Sequence, residues 1–292
     1  VKRSLVLAGG GVAGIAWELG VLFGISELEP ELAESIISAD LIIGTSAGSA
    51  VAAQISSGQD LAALYEAQFS AESNEIMIDF DATTHASLVE ELIHGSEDDI
   101  EIRQAIGKFA MSTATIEEEQ RRSVIATRLP KQEWPAQALW ITAVDAESGE
   151  LEVFTSDSGV QLVDAVSASC AVPGIWPPAT IGGRKFIDGG VRSTTNADLA
   201  IGSDRVLVIT PSAPDAPYRW GSLENELQSF GPDTTRVLYA NTSSQAAFGS
   251  NPFSPSSRRQ SAIAGRAIGR ASAEGLVSFW VLRAPLKSEK ER

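Results

Sequence analysis

Residues 4–8 form a short apolar run that stops at three consecutive glycines, after which apolar side chains recur at 15, 19, 22, 25 and 28. The first pattern predicts a buried strand, the second a helix, and the glycines a tight connection between them. The unit recurs. Leu41-Ile42-Ile43 runs into Gly44-Thr45-Ser46-Ala47-Gly48, and the alanine-rich residues 49–55 follow. Strand, tight turn and helix, twice over, predict a parallel sheet joined by crossover helices. Further on, 138–144 and 151–155 read as a strand and its return around the turn at 147–150. Residues 160–168 read as a helix, 171–178 as a proline-rich loop, 184–188 as a strand entering Gly189-Gly190, and 205–210 as a buried strand. Past Pro211 the pattern turns polar and proline-marked, and helices with weak boundaries are expected.

Between the core strands, residues 72–119 are dense in carboxylates and poor in strand signals. That stretch predicts a helical cap whose acidic residues form solvated helix faces. Charge adds a second asymmetry. The chain has 22 Lys+Arg against 38 Asp+Glu, a net -16, which argues against nucleic acid as a partner. Residues 251–292 hold 8 Lys+Arg and 3 Asp+Glu, so they are +5 while residues 1–250 are -21. Arg259, Arg266 and Arg270 share one helical face, which predicts a helix docked on its own acidic domain. Any peripheral contact with anionic lipid is expected at that helix. No continuous apolar stretch reaches the ~20 residues of a spanning helix, because the triple glycine and Glu18 interrupt residues 5–25. Those residues are read as mature structure, in a cytoplasmic protein.

One cysteine, Cys170, excludes an internal disulfide, and one cysteine with two histidines is too few for a His/Cys zinc site, so no metal or cofactor is expected. Gly9-Gly10-Gly11-Val12-Ala13-Gly14 matches G-x-G-x-x-G between a strand and a helix. Such a loop holds backbone N–H groups open for an anion, either a pyrophosphate or a tetrahedral oxyanion. Gly44-Thr45-Ser46-Ala47-Gly48 is G-x-S-x-G in the strand-to-helix context of a nucleophile elbow, with small residues flanking the serine because the turn is sharp. A serine triad then needs a late histidine, and none follows His94. An aspartate can serve as the base if its carboxylate is partly desolvated and within reach of the hydroxyl. Of Asp145, Asp157, Asp164, Asp188, Asp198 and Asp204, Asp188 stands out because it ends a strand before two glycines. Two alternatives stay open on the residues alone: a Ser–His–Asp esterase with His85 or His94 as base, and a non-enzymatic nucleotide-binding module built on the 9–14 loop.

Taken in order, the three motifs at 9–14, 44–48 and 188–190, with the small-residue and proline stretch 166–178 before the last, resemble the bacterial patatin-like phospholipases. The resemblance covers roughly residues 3 to 211. Each motif alone is loose, and the ordered set is specific. It implies a three-layer α/β/α sandwich with a mainly parallel central sheet, in a single domain: a core at about 3–211, a helical cap at about 72–125 and a helical extension at about 212–292. It further implies a lipid acyl hydrolase with Ser46 as nucleophile, Asp188 as general base, and an oxyanion hole around Gly10 and Gly11, to which elbow mechanics add the Ala47 N–H. Gly9, Gly14, Gly44, Gly48, Gly189 and Gly190 complete the motifs. One departure stands out: the family usually carries Arg or Lys where this chain has Ala13.

Other residues have structural readings. Cys170 is expected as a small buried residue, and His85 and His94 as surface or cap residues. Trp17 and Trp176 are core or acyl-pocket residues, and Asp98-Asp99-Glu101 is a helix start.

Overall fold

A computed structural model describes residues 1–214 and 223–281. In chain order the elements are β1 (Arg3–Leu7), α1 (Gly11–Leu28), α2 (Pro30–Ile37), β2 (Leu41–Thr45), α3 (Ala47–Ile55), α4 (Leu61–Glu66), α5 (Ala82–Ile93), α6 (Asp99–Ser112), α7 (Glu118–Arg128), β3 (Ala138–Asp145) and β4 (Leu151–Phe154). There follow α8 (Leu162–Ser169), β5 (Ala179–Ile181), β6 (Arg184–Asp188), β7 (Arg205–Thr210), α9 (Leu223–Leu227), β8 (Thr235–Tyr239), α10 (Thr242–Phe248) and α11 (Arg258–Trp280). The sheet runs β5-β6-β3-β2-β1-β7-β8, with β4 paired to β3. Pairings from β3 through β8 are parallel, and β4, β5 and β6 join antiparallel.

β1 lies between β2 and β7, and its alternation feeds both faces of the sheet. Leu5 and Leu7 enter the main core beneath α1 and α3, while Val6 joins Ile43, Val206 and Val208 beneath α9. These strand side chains are wholly buried, each contributing about 1.5–3 kcal/mol relative to exposure. Among the described residues α1 is the one helix long and apolar enough to cross a membrane, but here it is packed inside the fold. A seam of small residues lets α11 press against it: a side chain at Gly20 or Gly265 would collide with the backbone of the other helix.

The basic face of α11 is engaged by its own domain, as its spacing predicted. Arg266 and Arg270 bond Glu27 at 2.6 and 3.1 Å, and Arg259 lies over the Phe69 ring. The C-terminal carbonyls of α11 receive Arg3 Nε and Arg205 Nε, cations at the negative end of the helix dipole. Arg283, Lys287, Lys290 and Arg292 lie outside the described residues.

Three sequence expectations are corrected. The segment past residue 211 is not helical throughout, since β8 adds a parallel strand beside β7. Its five residues form an edge strand with only Leu238 buried, too little burial to impose an alternating pattern. The first helix starts at Gly11 rather than 15, and Gly11 enters it at φ +64°, a left-handed conformation that favours glycine. The acidic segment does form helices, but α7 extends to Arg128 and residues 70–81 have no regular structure.

Candidate active site

Strand register brings the two distant motifs together. Thr142 of β3 pairs with Thr45, the residue before Ser46, and the next residue, Ala143, pairs with Asp188. Ser46 then turns sharply into α3 with φ 52° and ψ -118°, one of two positive-φ non-glycine residues described. A serine in that region is strained and persists only if its surroundings hold it.

Those surroundings are specific. Ser46 N–H donates to Ser169 Oγ at 2.8 Å, and its carbonyl accepts from Ser49 Oγ at 2.6 Å and Cys170 Sγ at 3.2 Å. Gly48 N–H donates to the Ala8 carbonyl at 2.9 Å, and Ala8 N–H donates to Glu18 Oε1 at 2.9 Å. Burial pushes the Glu18 carboxyl well above its usual range, which favours the neutral acid. The elbow is thereby tied to the first glycine loop. Ser169→Ala leaves the buried Ser46 N–H without an acceptor, so it is expected to destabilise the protein by about 1–3 kcal/mol and to lower turnover severalfold. Urea unfolding alongside an ester assay measures both.

Asp188 is 4% exposed and Ser46 7%. Asp188 Oδ1 accepts from Gly190 N–H at 2.7 Å, and its own N–H donates to the Ala171 carbonyl. Oδ2 is buried without a hydrogen-bond partner. Burial pushes the carboxyl up to about 7, against the Ser46 hydroxyl, the Gly190 N–H and Arg121, which all favour the charged form. The Ser46 hydroxyl thus favours the ionised carboxylate, while Oδ2 keeps a lone pair open toward the cavity lined by both residues. Gly189 and Gly190 are not in the left-handed region. Space explains them instead: a Cβ at Gly189 would strike Thr142, and one at Gly190 would sit 2.9 Å from Asp188 Oδ1.

The glycine loop closes the site from β1. Gly9 lies against Ser46, with a hypothetical Cβ 3.4 Å from the serine Cβ, and Gly9 N–H donates to the Thr194 carbonyl. Among the described residues the N–H groups of Gly10, Gly11 and Ala47 have no acceptor. Gly11 opens α1 and Ala47 opens α3, so both donors belong to helix N-termini. Gly14 packs on Ala47, and Gly44 on Ser49. Ala13 is wholly buried in the core, so the loop itself brings no cation.

A cavity of about 520 Å³ opens in front of Ser46 and Asp188. Its walls are mostly apolar: Val172 and Ile175 from the proline loop, Phe248 and Phe253 from the C-terminal part, Val89 from α5 and Ile106 from α6. The helices of the acidic segment therefore form one side of it. His85 also lines this cavity, nearer the site than a surface reading suggested; its Nε2 bonds the Pro173 carbonyl at 2.9 Å. His94 is exposed. Trp17 is core, donating to Ser244 Oγ, and Asp98 caps α6.

Sequence reasoning passed over Ser169, Ser49 and the polar network beneath the site. There Asn196 Nδ2 donates to Thr45 Oγ1 at 3.0 Å and to the Ser193 carbonyl at 2.8 Å, and the Thr45 and Thr142 hydroxyls are 2.8 Å apart. Only the small-residue run 167–171 signals any of this. It also passed over Arg121, a buried cation on α7.

Among solved structures the chain is similar to VipD from Legionella pneumophila, at 13% identity over 94% of this chain and 67% of that one, with a TM-score of 0.46. It is similar also to the type III effector protein ExoU, at 18% identity over 97% of this chain and 54% of that one, with a TM-score of 0.45. It thus spans about two thirds of the first protein and about half of the second. The family model for patatin-like phospholipases matches residues 5–201. That match takes in the glycine loop, the elbow and the Asp188 strand, and by it the chain belongs to the patatin-like phospholipase family of lipid acyl hydrolases.

Proposed function

We propose that the protein cleaves acyl-ester bonds of lipids, as a phospholipase A, lysophospholipase or esterase, through a Ser46–Asp188 dyad. The observation that carries this reading is a strained, cavity-facing Ser46 beside a buried carboxyl with one oxygen free of partners. Asp188 accepts the Ser46 proton as Oγ bonds the ester carbonyl carbon and the carbonyl π pair moves onto oxygen. The N–H groups of Gly10, Gly11 and Ala47 stabilise that oxyanion. Collapse releases the alcohol, which takes the proton from Asp188 and leaves acyl-Ser46. Water then adds while Asp188 takes its proton. A second collapse frees the carboxylic acid, and Ser46 Oγ regains the proton from Asp188. The apolar walls of the cavity suit the acyl chain.

A histidine base finds less support. His85 Nε2 is already bonded to a carbonyl, and His94 is exposed. A nucleotide site finds less still, because Gly9, Gly10 and Gly11 line the same mostly apolar cavity as Ser46 and Asp188.

The test is a fluorophosphonate probe with a panel of p-nitrophenyl esters, a phospholipid and a lysophospholipid. Wild type is expected to be labelled and to turn over at least one ester. Ser46→Ala is expected to do neither, and the double variant His85→Gln/His94→Gln to keep both. Labelling of Ser46→Ala at the wild-type rate would sink the assignment.

A further inference from the structure

Arg121 is 5% exposed, and its guanidinium lies 3.8 Å from the centroid of the buried Trp176 ring. Its Nε and Nη1 make no hydrogen bond. Among the described residues its one carboxylate within ion-pair distance, Glu75, is 4.0 Å from Nη1 and is already held by both arms of Arg128, at 2.7 Å each. A buried cation left this poorly paired is costly unless another anion completes it. Burial and Arg128 lower the Arg121 pKa to about 9, so the group is still charged at neutral pH.

Arg121 faces a space of the size and lining that such an anion needs. It lines a second cavity, of about 10 Å³, together with Gly11, Ser46, Ala47 and Trp176. That volume holds about one water-sized oxygen, which excludes a phosphate headgroup. Two helix N-termini meet there, those of α1 at Gly11 and α3 at Ala47, and neither first N–H has an acceptor. Ala13 contributes no charge, being buried in the core.

We propose that Arg121 is a catalytic residue, whose guanidinium donates to the oxyanion formed from the ester carbonyl in the one-oxygen cavity between the N-termini of α1 and α3. The assignment rests on Ser46 being the nucleophile. It adds a charged donor to the backbone N–H groups, and it draws that donor from the acidic segment rather than from the glycine loop.

The test compares wild type, Arg121→Gln and Arg121→Lys in ester turnover, pH–rate profile, and inhibition by a trifluoromethyl ketone, which adds to a serine as an oxyanion, against its methyl ketone analogue. Arg121→Gln is expected to lower kcat by about 10²–10³-fold, with KM within a few fold. Trifluoromethyl ketone affinity should fall in parallel, while the methyl ketone is little changed. A merely structural arginine would lower the unfolding midpoint without this parallel loss. Unchanged kcat in folded Arg121→Gln would overturn the proposal. So would a loss explained by an upward shift of the acid limb, which would place Arg121's effect on Asp188 instead. If Arg121→Gln does not fold, Arg121→Lys carries the test: a smaller parallel loss, about tenfold, supports the donor role, and loss of neither quantity overturns it. A wild type that neither turns over nor labels at Ser46 is a failure of the hydrolase reading. An active, labelled wild type matched by Arg121→Gln is a failure of this inference alone.

Discussion

Asp188→Asn is expected to lower kcat by about 10³-fold or more and, above neutral pH, to make the protein more stable. Both effects come from one buried carboxyl. Its pKa is pushed up to about 7, by burial first and against the pull of the Ser46 hydroxyl, Gly190 N–H and Arg121. Only the ionised form can take the Ser46 proton, so wild-type turnover should rise with pH through about 7 as one ionisation. The neighbouring Cys170 titrates higher still, since burial raises its thiol, and so leaves that limb to Asp188. The stability effect has the opposite sign. An acid whose folded pKa lies above its unfolded value binds the proton more tightly in the folded state, so stability is full below about 4 and is lost as pH rises through 7. The interval from 3.8 to about 7 corresponds to a loss of up to about 4 kcal/mol. Asparagine has the same shape and no charge to bury, so it should recover much of that above pH 8 and little at pH 4. Urea unfolding of both proteins at those two pH values measures the difference. Equal stability at both, or turnover retained by the asparagine variant, would remove Asp188 from the role of base.

Such a site is legible in a sequence only where its parts are local. β1 with the glycine loop, β2 with the elbow, and β6 with Asp188-Gly189-Gly190 each combine an apolar run with glycines at fixed offsets, so pattern alone finds them. The pairing of Thr45 with Thr142 and of Ala143 with Asp188 is a property of sheet register, and no local pattern encodes it. The same holds for Ser169, Thr142 and Asn196, neutral polar residues whose value lies in long-range hydrogen bonds. Arg121, Glu75 and Arg128 mislead more actively. They belong to or adjoin a carboxylate-rich stretch that reads as solvated helix faces, yet all three side chains are largely buried beside the site. The strand β8 was hidden for a different reason, since a single buried residue in five leaves no period to detect.

Gly48→Ala is expected to destabilise the protein by more than about 3 kcal/mol, the upper range for overpacking, and to leave little folded protein. A methyl group at Gly48 would overlap the Leu7 carbonyl and come within 2.8 Å of Ala8 N. The obstacle is backbone rather than a side chain that can rotate away. Nor can β1 retreat, because it is paired along its length to β2 on one side and β7 on the other. Moving α3 outward instead would break the Gly48 N–H bond to the Ala8 carbonyl and release the turn that holds Ser46 at positive φ. Any folded fraction should therefore also react slowly with a fluorophosphonate. Gly275→Ala is the matched control: it lies inside α11 with nothing within 4 Å of the added methyl, and should gain about 0.5–1 kcal/mol from helix propensity. Soluble yield, unfolding midpoint and labelling rate of the two variants separate the effects. A wild-type midpoint and labelling rate in Gly48→Ala would mean that the elbow does not depend on contact between α3 and β1, which the strained serine geometry requires.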